Sequence, residues 1–140
     1  MLKGVNLMRK FQELFYKIGR IVNYVMLGIH GLVVAINIIL LIVDAVAGNY
    51  VVDNISAIIT NIIFAGFAVA LIFLDKKYAE DALKAKSDAL TPVIILMVFG
   101  LFVAFWCHTV AGVFGIIAAN QENENKETKQ VEEKKEEKAE

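Results

Sequence analysis

The sequence has one cysteine, Cys107, and one proline, Pro92. A single thiol excludes an intramolecular disulfide and any multi-cysteine metal site. In an apolar run such a thiol serves as a small filler. Three stretches, residues 21–43, 55–74 and 92–119, contain no Asp, Glu, Lys or Arg. The formal net charge is −1, so the basic field that draws nucleic acid is missing and no nucleic-acid partner is expected. Catalytic signatures are missing too: there is no His-Glu-x-x-His pair, no Gly-x-Ser-x-Gly elbow and no phosphate-cradling glycine loop. His30 and His108 fall in different apolar runs, and Cys107 points away from its neighbour His108 on a helix. No enzyme activity, metal or cofactor is therefore expected.

What is present is segregation. The chain of 140 residues is 58% hydrophobic and 21% charged, and nearly all the charge sits at 1–20, 75–90 and 120–140. A soluble core helix is apolar on one stripe, whereas these runs are apolar all round, as a lipid-facing helix must be. Backbone groups in hydrocarbon must bond internally, and about 20 residues cross a bilayer core. The sequence thus predicts an all-α integral membrane protein with three transmembrane helices, over about 21–47, 55–74 and 92–119. Gly48-Asn49-Tyr50 is a short turn that makes the first two an antiparallel hairpin. Thr91-Pro92 reads as a helix start with a capping hydroxyl and proline at the first position. Gly100, Gly112 and Gly115 mark either close helix contacts or a local break. Ala45-Val46-Ala47 has the small-x-small pattern of a signal-peptide cleavage site, but the preceding run is too long for one.

The flanks have their own chemistry. In residues 1–20, Leu7, Phe11, Leu14, Phe15 and Ile18 recur at helical spacing, with Arg9, Lys10, Lys17 and Arg20 mostly on other faces. That is an amphipathic helix for the membrane surface, basic side toward anionic headgroups. The connection 75–90 is rich in Ala, Lys, Glu and Asp and reads as helical and cytoplasmic. The tail 120–140 holds eight Glu, five Lys and one large apolar residue, Val131, so it is a solvated tail. Nine basic residues precede the first span or lie in 75–90, against five in the tail. The chain is expected in a cell membrane, plasma or inner, as a multi-pass protein, and the positive-inside bias orients it. Its N-terminus is cytoplasmic and its C-terminus outside, although a re-entrant third segment would return the tail to the cytoplasm.

A polar seam runs through the spans. Asn23, His30, Asn37 and Asp44 are each seven residues apart and share one face. The second helix carries Asn54 and Asn61, and the register continues through Ala68 to Asp75. Levelled about Asn49, Asp44 meets Asn54, Asn37 meets Asn61, His30 meets Ala68, and Asn23 meets Asp75. In the third run Ala104, His108, Ala111 and Gly115 share a face, and His108 falls level with Asn37 and Asn61. Such a seam is either packing glue between helices or a hydrated path.

Two functions follow. The first is a small accessory or structural membrane protein that packs with itself or with a larger protein partner. The second is an oligomeric pore or small-solute channel, its symmetry supplying the width that three spans lack. In plan alone the layout is similar to that of three-span phage holins, small lysis proteins with a charged C-terminal tail. That resemblance implies pore formation, though holins are drawn with the N-terminus outside.

Overall fold

The computed structural model describes residues 2–103 and 106–136, and among these the chain is all helix. Ala104 and the last four residues of the tail lie outside the described residues. Helix α1 spans Leu2–Ala47, α2 Val52–Lys84, α3 Thr91–Gly100 and α4 Cys107–Glu136. Two of them, α1 and α2, are long and apolar enough to cross a membrane, and α3 is a shorter apolar helix.

The expected surface helix and first span are one element. Nothing between residues 2 and 47 breaks a helix: there is no proline, and each glycine there is helical. At 46 residues α1 is a rod of about 69 Å at 1.5 Å per residue. It ends where Gly48 takes a left-handed backbone (φ 75°). The Gly48 N–H then bonds the Ala45 carbonyl (3.3 Å) and the Asn49 N–H bonds that of Asp44 (2.8 Å). These are the two bonds of a Schellman stop, and they satisfy carbonyls that α1 would leave open.

The third apolar run is not one helix. It is the pair α3 and α4, separated by residues 101–106. The chain turns there, and Trp106 is held at φ 61°, a backbone that a bulky residue adopts only under constraint. The Thr109 hydroxyl donates to the Met97 carbonyl (2.9 Å), so the start of α4 bonds the last turn of α3. Gly100 faces the His108 side chain and the Thr109 backbone, and Gly112 faces Met97. The helices are therefore antiparallel and in close contact. At the N-terminus of α3 the flanking residue is Leu90, without a side-chain cap; Thr91 opens the helix and Pro92 sits in its first turn.

Helix α4 then runs back along the first half of α1. Phe114 stacks between Phe11 and Phe15 (5.4 and 5.7 Å between centroids), and Arg9 pairs with Glu122. The start of the tail thus lies beside the N-terminal turns of α1. Residues 92–119 thus do not form the single continuous helix expected of them. The tail, at least to Glu136, continues α4 as a helix.

The result has two unlike ends. At the base, α1, α2, α3 and α4 form an up-down-up-down bundle with Leu71, Leu96, Val93, Ala68, Ala82 and Ala111 in its core. Beyond it α1 and α2 continue as a hairpin; Phe67 still stacks on Phe102, and Met26, His30 and Phe64 border the same connection, but no residue from Tyr24 to Phe67 is buried. Large side chains such as Ile39, Ile42, Ile59 and Ile63 are exposed there.

The glycines separate these ends. A methyl group at Gly100 would meet His108 and Thr109, whereas at Gly28 or Gly31 it would meet nothing within 4 Å. Gly100→Ala is expected to destabilise the protein by about 1–3 kcal/mol through overpacking. Gly28→Ala and Gly31→Ala should be neutral, or stabilising by up to about 1 kcal/mol from helix propensity. Thermal melting of the three variants in detergent checks this, and equal effects at all three would contradict the packing described.

Candidate functional site

The polar residues expected on one seam fall into three groups. At the far end, the Asp44 carboxylate accepts from Asn54 (2.8 Å) and from Asn49 (3.2 Å), which ties the turn to both helices. In mid-hairpin, His30 Nδ1 lies 2.8 Å from Asn61 Oδ1, and the imidazole stacks on Phe64. Asn37 is not the partner of Asn61: it donates to the Val33 carbonyl of its own helix, as Asn61 does to that of Ala57. The pairing has slipped by one heptad here and at Asn23, while Asp44 and Asn54 keep the expected rung. Residues seven apart share a face, so any of them can meet the opposing helix, and the geometry of the turn at 48–51 chooses which.

The third group lies at the base and is the densest. Asn23 is buried and donates to the Ala68 carbonyl (2.9 Å), not to Asp75. Asp75 instead receives Arg20 Nε from α1 (2.5 Å) on one oxygen, and the other lies 3.4 Å from His108 Nε2 of α4. His108 is thus at the base, beside Gly19 and Asp75, about four to five helical turns below the level of Asn37 and Asn61 predicted for it. The cause is the break at 101–106, which lets α4 start low and run back. Gly19 makes the space: a Cβ there would sit 2.6 Å from His108 Nδ1. Tyr16 packs against the same imidazole, with ring centroids 5.5 Å apart.

One turn further down, Arg9 and Gln12 serve the end of α2. The last carbonyls of a helix have no partner within it, and they carry the negative end of its dipole. Gln12 Nε2 donates to the Ala82 carbonyl (2.9 Å), and Arg9 donates to the Ala85 carbonyl while pairing with Glu122 of α4. Gln12 fits because Gly115 faces it. Of the four basic residues read as membrane-surface contacts, Arg9 and Arg20 thus bind other helices. Lys17 pairs with Glu13 on the exposed face (2.6 Å), and Lys10 is exposed. Gln12, Tyr16 and Glu122 were not foreseen. Tyr16 and Arg9 continue the heptad series downward from Asn23, so that series carried the signal.

The electrostatics follow from burial. Leaving water pushes the Asp75 carboxyl up, but the bond from His108 and the bond and charge of Arg20 outweigh this and hold it below the usual carboxylate range. Burial pushes the Tyr16 phenol up to about 12, so it is neutral at any ordinary pH. Among the described residues three buried polar atoms have no protein partner: Tyr16 Oη, Asn23 Oδ1 and His108 Nδ1. Among the described residues no three His, Cys, Asp or Glu side chains come together as metal ligands. The cluster joins three helices around one buried carboxylate.

Two outcomes test this reading. Asp75→Asn leaves Arg20 and His108 facing a neutral group and should cost about 1–3 kcal/mol, discounted for the half-exposed Arg20. Glu13→Gln, on the exposed pair, should leave melting unchanged. For pH, a carboxyl depressed in the folded state stabilises fully above its unfolded value, near 3.8, and the contribution is lost as pH falls through the lower folded value. The wild type should therefore keep its Asp75-dependent stability down to about pH 4 and lose it only below, when melting of wild type and Asp75→Asn is compared from pH 3 to 8. No protein-family model, no curated protein and no solved structure matches the chain, so the cluster and the fold around it are the basis for any functional reading.

Proposed function

We propose that this chain is an accessory membrane protein: an α1–α2 hairpin crosses the bilayer, and the helical base holds the charged tail helix at the cytoplasmic face for a protein partner. The observation that carries the reading is the hairpin itself. From Tyr24 to Phe67 it exposes apolar side chains on all faces and buries none. Two helices cannot cover each other's outer faces, and exposed apolar area on this scale marks contact with lipid or protein. The apolar stretches 21–43 and 55–74 match the bilayer core in length.

Charge supports the same placement. With two crossings and α4 folded back, the N-terminal half of α1, the 75–90 connection and the tail share one side. All 14 Lys and Arg then lie on that side, and the turn at 48–51 carries none. The positive-inside bias favours this arrangement more strongly than three crossings, and it makes both termini cytoplasmic. Within the hairpin, Asn37 and Asn61 spend their amides on their own helices and His30 meets Asn61. Polar groups so engaged favour packing over a conducting path.

The test is membrane-fraction crosslinking. The full chain is expected to resist alkaline carbonate extraction and to crosslink into a defined complex. Truncation after Glu122 should keep the chain in the membrane and abolish the complex. A strictly monomeric chain would overturn the accessory role. In proteoliposomes, ion and proton flux should stay at the protein-free level between pH 5 and 8; flux that disappears in a His30→Leu, His108→Leu double variant would establish the pore instead.

A further inference from the structure

Between α1 and α2, at the base of the hairpin, lies a cleft of about 420 Å³. Its lining has an order. On α2, Ile72, Lys76 and Glu80 are four residues apart and form one stripe; on α1, Tyr24 and Arg20 form the opposing one. From the hairpin outward the cleft therefore reads apolar, then cationic, then anionic. Each step of four residues is about 6 Å along the helix. The cationic step lies where the apolar stretches end, at Ile21 and Leu74.

The charged groups are unspent. Arg20 gives only Nε to Asp75, so among the described residues both of its terminal nitrogens are free. Lys76 and Glu80 have no ion-pair partner among the described residues, though four residues apart on one helix they could pair. The floor is fixed by Asn23, Asp75 and His108, all buried. Asn23 keeps an unpartnered carbonyl oxygen there. An arginine with two free nitrogens is the side chain best suited to grip a phosphate, and a lysine adds a point charge.

We infer that this cleft binds the headgroup of a zwitterionic phospholipid with a primary ammonium, phosphatidylethanolamine. Its acyl side lies along Tyr24 and Ile72, its phosphate meets Arg20 and Lys76, and its ammonium, the outermost group, meets Glu80. The polarity of the lipid from tail to head is the complement of the cleft from hairpin to base. An anionic lipid such as phosphatidylglycerol has no cation to pair with Glu80. Phosphatidylcholine offers Glu80 no N–H to donate.

This inference rests on the membrane placement proposed above, and the experiment separates the two. The full chain is reconstituted into nanodiscs of phosphatidylethanolamine, phosphatidylglycerol and phosphatidylcholine in equal parts, and the lipids retained after mild extraction are counted by native mass spectrometry. Phosphatidylethanolamine is expected to be enriched over the bulk mixture by about fivefold to tenfold, the scale of one charge-assisted contact at a half-exposed site. Glu80→Gln should remove the preference over phosphatidylcholine while phospholipid is still retained, and Lys76→Gln should weaken retention of all three. Retained lipid that mirrors the bulk, or enrichment unchanged in both variants, overturns the inference. So does binding of soluble glycerophosphoethanolamine as tight as that of the lipid, which would make the cleft a site for a free phosphodiester. A chain released by alkaline carbonate overturns the membrane placement and this site together; a retained chain without enrichment overturns the site alone.

Discussion

One buried carboxylate holds the base together. Asp75 lies where α1, α2 and α4 converge, and it takes a guanidinium from the first and an imidazole from the third. Removing a carboxylate from water is costly, and the cost is met only when both oxygens find charged or polar donors. Each donor arrives on a separate helix, so the helices must pack in one arrangement for the charge to be tolerated. Gly19 and Gly100 are part of the same constraint, since His108 reaches Asp75 only through the space they leave.

Apolar packing alone would not choose this arrangement. The core at the base is made of alanine, valine and leucine, which fit many registers within a heptad or so. The polar contacts are less forgiving: Gln12 and Arg9 must meet the last carbonyls of α2, and Asn23 must meet Ala68. The contacts of Gln12 and Arg9 also cap α2, because they reach carbonyls at its C-terminal end.

Much of the helical layout was legible in the sequence because composition carries it. Charge-free runs mark the long helices, and Gly48-Asn49 marks their turn. The heptad of Asn23, His30, Asn37 and Asp44 gave the face, and the rung only where Asp44 meets Asn54, since residues seven apart are equivalent by face. The break near Trp106 was the harder feature. Residues 92–119 are apolar throughout, and a continuous apolar run reads the same whether it forms one helix or two. Gly100, Gly112 and Gly115 admitted either reading, and only the fit of Gly100 to His108 and of Gly112 to Met97 decides it. The base cluster escaped for a related reason. Arg9, Tyr16 and Arg20 lie in a stretch whose charge and amphipathic pattern suit a surface helix, and that pattern does not report which residues a returning α4 will cover.

The continuity of α1 has a mechanical consequence. One rod of 46 residues joins the bundle at the base to the turn at the far end, with no hinge between them. A tilt of about 10° around the level of Arg20 would carry Asp44 roughly 6 Å sideways, at the end of an arm of about 36 Å. Displacements where Arg9 and Glu122 meet are thus delivered, enlarged, at Asp44 and Asn54. The molecule is built as a lever with its fulcrum at the buried carboxylate.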